Sequence, residues 1–285
     1  MGSGKGQRKK ILGIFFAFTK IEHTLFSLPL LFAGAWLAPK GSPSAVILLL
    51  IVLAALGARI FGMAMNRIFD WKIDAKNPRT ANREIPQGIL SIRTAYGIAA
   101  SGAVVYFVVC FILGGWCLKL AVIPLIPLLF YSLLKRYTWL CHFGLGLCLA
   151  IAPLGAYVAA SETVMPTKPL MMFAMFTFFW VSGSDIICAL LDMEFDRDHG
   201  IHSIPARWGA KGAEAIASTC NFLSFCCACI MIYFLDFNLM SGLLLAILGV
   251  LLIILGIPNI SPGFRFFPLS VFAGMAGVFI VLLGV

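Results

Sequence analysis

Long stretches of this chain carry no polar side chain, and short polar stretches separate them. Runs such as Ala45–Leu56 and Leu243–Leu255 are continuous rather than alternating, which fits buried or lipid-facing helix and not the inside–outside alternation of a membrane barrel. Taking about 20 apolar residues as one crossing, the pattern predicts nine transmembrane helices near 21–38, 44–66, 94–114, 117–135, 137–160, 169–191, 213–235, 239–257 and 264–285. Lys20, Glu22 and His23 interrupt the start of the first, where Glu22 and His23 are expected to order its entrance. Ile11–Phe18 reads as a helix lying in the interface. The organisation expected is a basic tail and interfacial segment over 1–20, then one membrane domain over 21–285. The leading stretch lacks a small-residue cleavage site, so no removed signal peptide is expected.

Composition agrees. Of 285 residues, 61% are hydrophobic and 12% charged, against roughly 45–50% and about 25% in soluble domains. Mean hydropathy is +1.00. These values exclude a water-soluble globular protein and a disordered one, leaving an all-α, polytopic membrane protein embedded in a lipid bilayer. The net charge of +9 reflects polar loops, and no nucleic-acid partner is expected. Most of the 21 Lys and Arg fall on one side of the predicted topology, while the other side holds only Lys40, Lys119 and Lys168. The positive-inside rule makes the rich side cytoplasmic, with the N-terminus inside and the C-terminus outside. Of the nine cysteines, Cys226, Cys227 and Cys229 form a cluster inside an apolar run with no His or acid nearby. They read as small packing residues rather than a metal or redox site.

Most of the 12 acidic residues gather in two clusters on the cytoplasmic side. The first follows the second span, where Asn66, Asp70 and Asp74 are each four apart and share one face of an extended helix. The second ends the sixth span, with Asp185, Asp192 and Asp196 spaced by seven and four. Carboxylates one turn apart repel unless a cation or proton intervenes, and a carboxylate near hydrocarbon is costly. Mg²⁺ suits such rows, because it takes one or two carboxylates and completes its shell with water and phosphate oxygens. Lys72, Arg79 and Arg83 add countercharge for a diphosphate. Tyr131 and Lys135 form another one-turn pair. Arg59, inside the second span and on the Asn66 face, is placed to hold an organic carboxylate. A polar site opening into an apolar interior implies a substrate with an anionic head and an apolar tail. Loss of diphosphate from an allylic chain needs leaving-group stabilisation, and exclusion of water protects the cation until an aromatic ring captures it.

Two motif blocks and the sequence between them resemble the UbiA superfamily of intramembrane prenyltransferases. The first runs Asn66-x-x-x-Asp70-x-x-x-Asp74-x-x-x-x-Arg79-Thr80-x-x-Arg83-x-x-Pro86. Tyr131-x-x-x-Lys135-Arg136-Tyr137-Thr138 follows, then Gly183-x-Asp185 with Ala189-x-x-Asp192-x-x-x-Asp196-x-x-x-Gly200-Ile201-x-Ser203. The opening Lys20-Ile21-Glu22-His23-Thr24-Leu25-Phe26-Ser27-Leu28-Pro29 is similar to bacterial members grouped with 4-hydroxybenzoate polyprenyltransferase, including those on the futalosine route to menaquinone.

The resemblance implies a helical fold around a central cavity, Mg²⁺ as cofactor, and a polyprenyl diphosphate and an aromatic hydroxy-acid as substrates. It further implies that Asn66, Asp70, Asp74, Asp192 and Asp196 bind the metal–diphosphate, that Arg79, Arg83 and Lys135 contact diphosphate, and that Asp185 and Tyr131 lie near the reacting carbons. Lys72 joins this set from its position alone. The acceptor expected is 4-hydroxybenzoate in quinone biosynthesis, in a bacterial inner membrane, with a dihydroxynaphthoate as the alternative. Departures stand at Arg67, where an Asp often follows the Asn, at Glu84 for a common Pro, at Ser184 for a common Tyr, and at Phe195 for a frequent acid. His199 and His202 lack a third ligand for zinc and read as loop residues. A transporter would carry its acids near mid-membrane, and the Asp-Gly-x-x-Ala-Arg pattern of phosphoalcohol transferases is absent.

Overall fold

The computed structural model describes residues 13–20, 24–39, 42–235 and 238–284, with the side chains of 24–26 excepted. The Glu22–His23 entrance, Lys40 and most of the basic tail lie outside the described residues. Among those described, all regular structure is helical. A short helix α1 spans 13–19. It is followed by α2 (Thr24–Trp36), α3 (Ala45–Asp74), α4 (Ile92–Leu113), α5 (Gly115–Lys119), α6 (Val122–Leu134) and α7 (Cys141–Ser161). Then come α8 (Lys168–Ala189), α9 (Met193–Asp198), α10 (Ile204–Tyr233) and α11 (Leu239–Leu255), and finally α12 (Pro262–Leu283).

Among the described residues, seven helical stretches are long and apolar enough to cross a membrane, against the nine expected. The difference lies in the first and eighth predicted spans. α2 has 13 residues and α11 has 17, both under the roughly 20 of a typical crossing. The fourth span is also broken, since Leu120 and Ala121 separate α5 from α6.

Close helix contact is set by small residues, as in other membrane bundles. On Gly57 a Cβ would come within 2.7 Å of the Tyr106 amide nitrogen, and on Gly102 within 2.7 Å of that of Phe61. The α3 and α4 backbones therefore meet where no larger side chain fits. The largest buried cluster joins α2, α7, α8, α10, α11 and α12, and includes Phe173, Phe176, Met231 and Leu248. Cys227 packs within it, in keeping with a packing role. α1 does not lie free on the surface: Phe18 is fully buried against Ala64, Met65, Ile68 and Ile85.

Two long helices reach beyond the apolar layer at the same end of the bundle. α3 continues to Asp74, and α10 begins at Ile204, capped by the Ser203 hydroxyl, which accepts from the Ala206 amide at 3.3 Å. At that end Glu214 and Arg265 tie α10 to α12. Arg265, only 1% exposed, donates from Nη1 to Glu214 Oε2 at 2.7 Å and from Nη2 to Oε1 at 2.6 Å.

Candidate active site

The polar end is built from two loops folded back on helix ends. After α3, the Thr80 and Ala81 amides donate to the Asn77 carbonyl at 2.9 and 2.8 Å, and the Thr80 hydroxyl donates to the Asp74 carbonyl at 3.2 Å. Gly88, at φ +68°, lets the chain reverse before Ser91 caps α4. This folding returns Arg83 to Asp74: Nη1 lies 2.7 Å from both carboxylate oxygens. The other loop follows α9. Gly200, at φ +65°, turns the backbone so that the Ile201 amide donates to the Asp196 carbonyl at 2.8 Å. The His202 amide then donates to the Lys135 carbonyl at 2.7 Å.

The two aspartate rows meet across these loops. In the first, Asn66 donates to Asp70 Oδ2 at 3.2 Å, and Lys135 Nζ reaches the same oxygen at 2.6 Å. Asp70 and Asp74 are buried. In the second row, Asp192 accepts from Arg79 Nε at 2.8 Å and from its Nη2, and from Asn77 Nδ2 at 2.9 Å. Arg79 and Asn77 belong to the loop that follows the first row, so they bridge the two. The hydrogen-bonded Asp192 carboxylate holds the Arg79 guanidinium above its ordinary pKa. Asp196 is buried close to Ser203, Asp192 and Lys135. The second row does not lie on one continuous α-helix. A 3₁₀ turn at Leu190–Asp192 separates α8 from α9, and its tighter winding re-aims Asp192.

Below this mouth lies an apolar cavity of about 440 Å³ bordered by α2, α3, α4, α6 and α7. Its wall runs from Arg59, Met63 and Tyr131 to Tyr157 and Pro166, a depth of roughly 20 Å judged by helical rise. Arg59 also donates from Nη2 to the Lys20 carbonyl at 3.2 Å, which ties α1 to the cavity rim. Tyr131 stands among Asp70, Arg59 and Asp185.

One expectation changes. Lys72 does not join the aspartates: it is exposed, with its ammonium 5.6 Å from the Trp71 ring, and borders a separate outer hollow with Tyr96 and Arg136. The reason is helical geometry, since a residue two positions from Asp70 and two from Asp74 points to the opposite side. In the two rows, Asp70, Asp74 and Asp192 are matched to cations. Among the described residues, no group of three or more His, Cys, Asp or Glu converges as a metal cage; Arg79, Arg83 and Lys135 pair instead with Asp192, Asp74 and Asp70.

Two residues escaped the sequence reading. Asn77 fixes Asp192 with its amide nitrogen while its Oδ1 accepts from the Arg79 amide at 2.9 Å. An Asn-Pro pair signals only a turn. His142 is buried, with Nδ1 2.7 Å from Asp185 Oδ2. Its Nε2 accepts from the Ile204 amide at 3.3 Å, so the ring proton sits on Nδ1 and is donated to Asp185. A lone histidine at the start of an apolar span carries no pattern from which this could be read. His199 and His202 are exposed loop residues; His199 stacks on Phe195 at 4.1 Å between ring centroids.

A helical membrane bundle with paired carboxylates and cations over an apolar chamber is the architecture of an enzyme acting on an anionic, lipid-like substrate. Comparison with known proteins defines it further. The profile of the UbiA prenyltransferase family matches residues 27–261. A 4-hydroxybenzoate octaprenyltransferase from Aliivibrio fischeri is 30% identical over 198 residues, covering 68% of this chain and 69% of that protein. One from Nitrosomonas eutropha is 32% identical over 62% of this chain and 61% of its own length. The apo structure of a UbiA homolog from Aeropyrum pernix K1 superposes with a TM-score of 0.80 at 30% identity, over 93% of this chain and 97% of that one. A UbiA homolog from Archaeoglobus fulgidus bound to GPP and Mg²⁺ shares the fold, with a TM-score of 0.70 at 15% identity over 95% and 98% of the two chains. The chain belongs to the UbiA prenyltransferase family, and it is an aromatic prenyltransferase.

Proposed function

We propose that this enzyme transfers a polyprenyl chain from its diphosphate to a ring carbon of 4-hydroxybenzoate, in quinone biosynthesis at a bacterial inner membrane, with the polar end and N-terminus cytoplasmic. The observation that carries the reading is the meeting of two aspartate rows, bridged by Arg79, at the mouth of an apolar chamber that holds Arg59 and Tyr131. The names of its relatives support the acceptor.

Asn66, Asp70, Asp74, Asp192 and Asp196 fit a divalent ion. Asp70 Oδ1 is buried and reaches no hydrogen-bond partner, a cost that a cation would relieve. Mg²⁺ held there would neutralise the departing diphosphate. Arg79, Arg83 and Lys135 bind its remaining oxygens, exchanging their carboxylate partners for phosphate. The chamber takes the prenyl chain and keeps water from the allylic cation. Arg59 takes the acceptor's carboxylate and so sets which ring carbon faces that cation. Electrophilic attack forms the carbon–carbon bond, and the ring then loses its proton. Asp185, oriented by the Nδ1–H of His142, accepts that proton or orients the phenol, beside Tyr131.

The test is an assay of membranes with Mg²⁺, a polyprenyl diphosphate and each candidate aromatic acid in turn. Prenylated 4-hydroxybenzoate is expected, and chelation with EDTA abolishes it. Product from dihydroxynaphthoate alone refutes the acceptor. In the same assay Arg59→Ala raises KM for the acceptor about 10-fold or more while changing KM for the diphosphate less than twofold. Equal effects on both substrates refute the carboxylate role.

A further inference from the structure

Arg67 follows Asn66 directly, yet it takes no part in the ion pairs described above. Its residue surface is only 5% exposed, and its Nε and Nη1 are buried with no hydrogen-bond partner. The charged groups around it are Arg83, Glu84 and Asp74, with the Tyr131 phenol alongside. Neither carboxylate satisfies it. Both oxygens of Asp74 are taken by Arg83, and Glu84 Oε2 is itself buried without a partner. A guanidinium carries five donors and cannot shed its charge in a protein, so burying it with donors unmet is costly. Such a residue is poor structural cement. It is suited to an anion that arrives later.

Its position says which anion. Arg67 lies one helical turn from Met63, a residue of the cavity wall, towards the polar mouth. Tyr131, which lines the cavity, and the Asp74–Arg83 pair are both near it. An anionic head held by Arg83 and Lys135 with its apolar tail in the chamber passes this point. Several oxygens on one polyanion match the planar fork of a guanidinium. An aromatic acid held by Arg59, two turns deeper, brings a single carboxylate.

We propose that Arg67 binds the diphosphate of the prenyl donor directly, and that this gives the enzyme measurable affinity for diphosphate without a divalent metal. The inference rests on the prenyl-donor reading of the site. It is tested by calorimetric titration of the detergent-purified enzyme with inorganic diphosphate, once with Mg²⁺ and once with EDTA. Wild type binds in both, more weakly in EDTA. Arg67→Met weakens binding about 10- to 100-fold in both conditions, in line with loss of charge-assisted hydrogen bonds. Arg67→Lys, which keeps the charge and loses the fork, is intermediate. Thermal unfolding of the ligand-free protein separates binding from support: Arg67→Met melts no lower than wild type, because it removes an unsatisfied buried charge.

Unchanged diphosphate affinity in Arg67→Met, or a Tm lowered by several degrees with affinity intact in the folded fraction, overturns the role of Arg67. So does a KM increase confined to the aromatic acceptor. If Arg67→Met does not fold, that too marks a structural arginine, unless Arg67→Lys folds and shows the intermediate loss. Wild type that fails to bind diphosphate even with Mg²⁺ overturns the prenyl-donor reading itself, a different failure from any of these.

Discussion

Asp70→Ala and Asp192→Ala are each expected to lower turnover by about 100- to 1000-fold with Mg²⁺ and both substrates present, the range that follows removal of one electrostatic element from an active site. The two act from opposite rows. Asp70 sits on α3 beneath Lys135, and its loss leaves a cation without its counter-ion and one oxygen fewer for a metal. Asp192 sits on the 3₁₀ turn after α8 and holds both Asn77 and Arg79. Its loss frees the bridge between the rows. Because the two contribute to one headgroup site, the double variant is expected to fall little below the worse single variant rather than by the product of the two effects. Steady-state rates in detergent decide this. Lys76→Ala, on the exposed surface of the same loop, serves as the control and stays within twofold of wild type. Wild-type turnover in either aspartate variant defeats the assignment of these rows to the donor.

The largest expected loss of stability lies away from the chemistry. Glu214→Ala is expected to cost about 3–5 kcal/mol, the range for removing one member of a buried ion pair. Arg265 would be left 1% exposed with two of its nitrogens bereft of a carboxylate. Thermal unfolding in detergent should show this as a fall of several degrees in Tm. Adding Arg265→Met to Glu214→Ala should recover much of the loss, since the stranded charge goes with it. A double variant no more stable than the single would mean that packing by the arginine stem, not the ion pair, holds α10 to α12.

What could be read before the structure follows from periodicity. Asn66, Asp70 and Asp74 recur every fourth residue, and that spacing alone sets them on one stripe of a helix that does continue to Asp74. Periodicity also fails in a definable way. Lys72 sits among the acids in the chain but on the other side of the helix in space. Asp185, Asp192 and Asp196 keep helical spacing across a turn that is not α-helical. Contacts between distant segments leave no local trace: His142 and Asp185 are 43 residues apart, and Asn77 and Asp192 are 115 apart. Span counting relies on length, and α2 and α11 are apolar yet short. The pairing of Asp70, Asp74 and Asp192 with Lys or Arg is also hidden, because composition places opposite charges in the same loops without saying which meet.

That pairing bears on the order of events during catalysis. Asp70, Asp74 and Asp192 are each matched to a cationic side chain. A bare magnesium ion would find the unpartnered Oδ1 of Asp70, but Asp74 and Asp192 would give it oxygens only as Arg83 and Arg79 moved away. A magnesium ion chelated to the donor brings phosphate oxygens that receive those same cations as they leave. If the donor binds as proposed, the preformed chelate is the true substrate, and the rate should track its concentration rather than that of free metal.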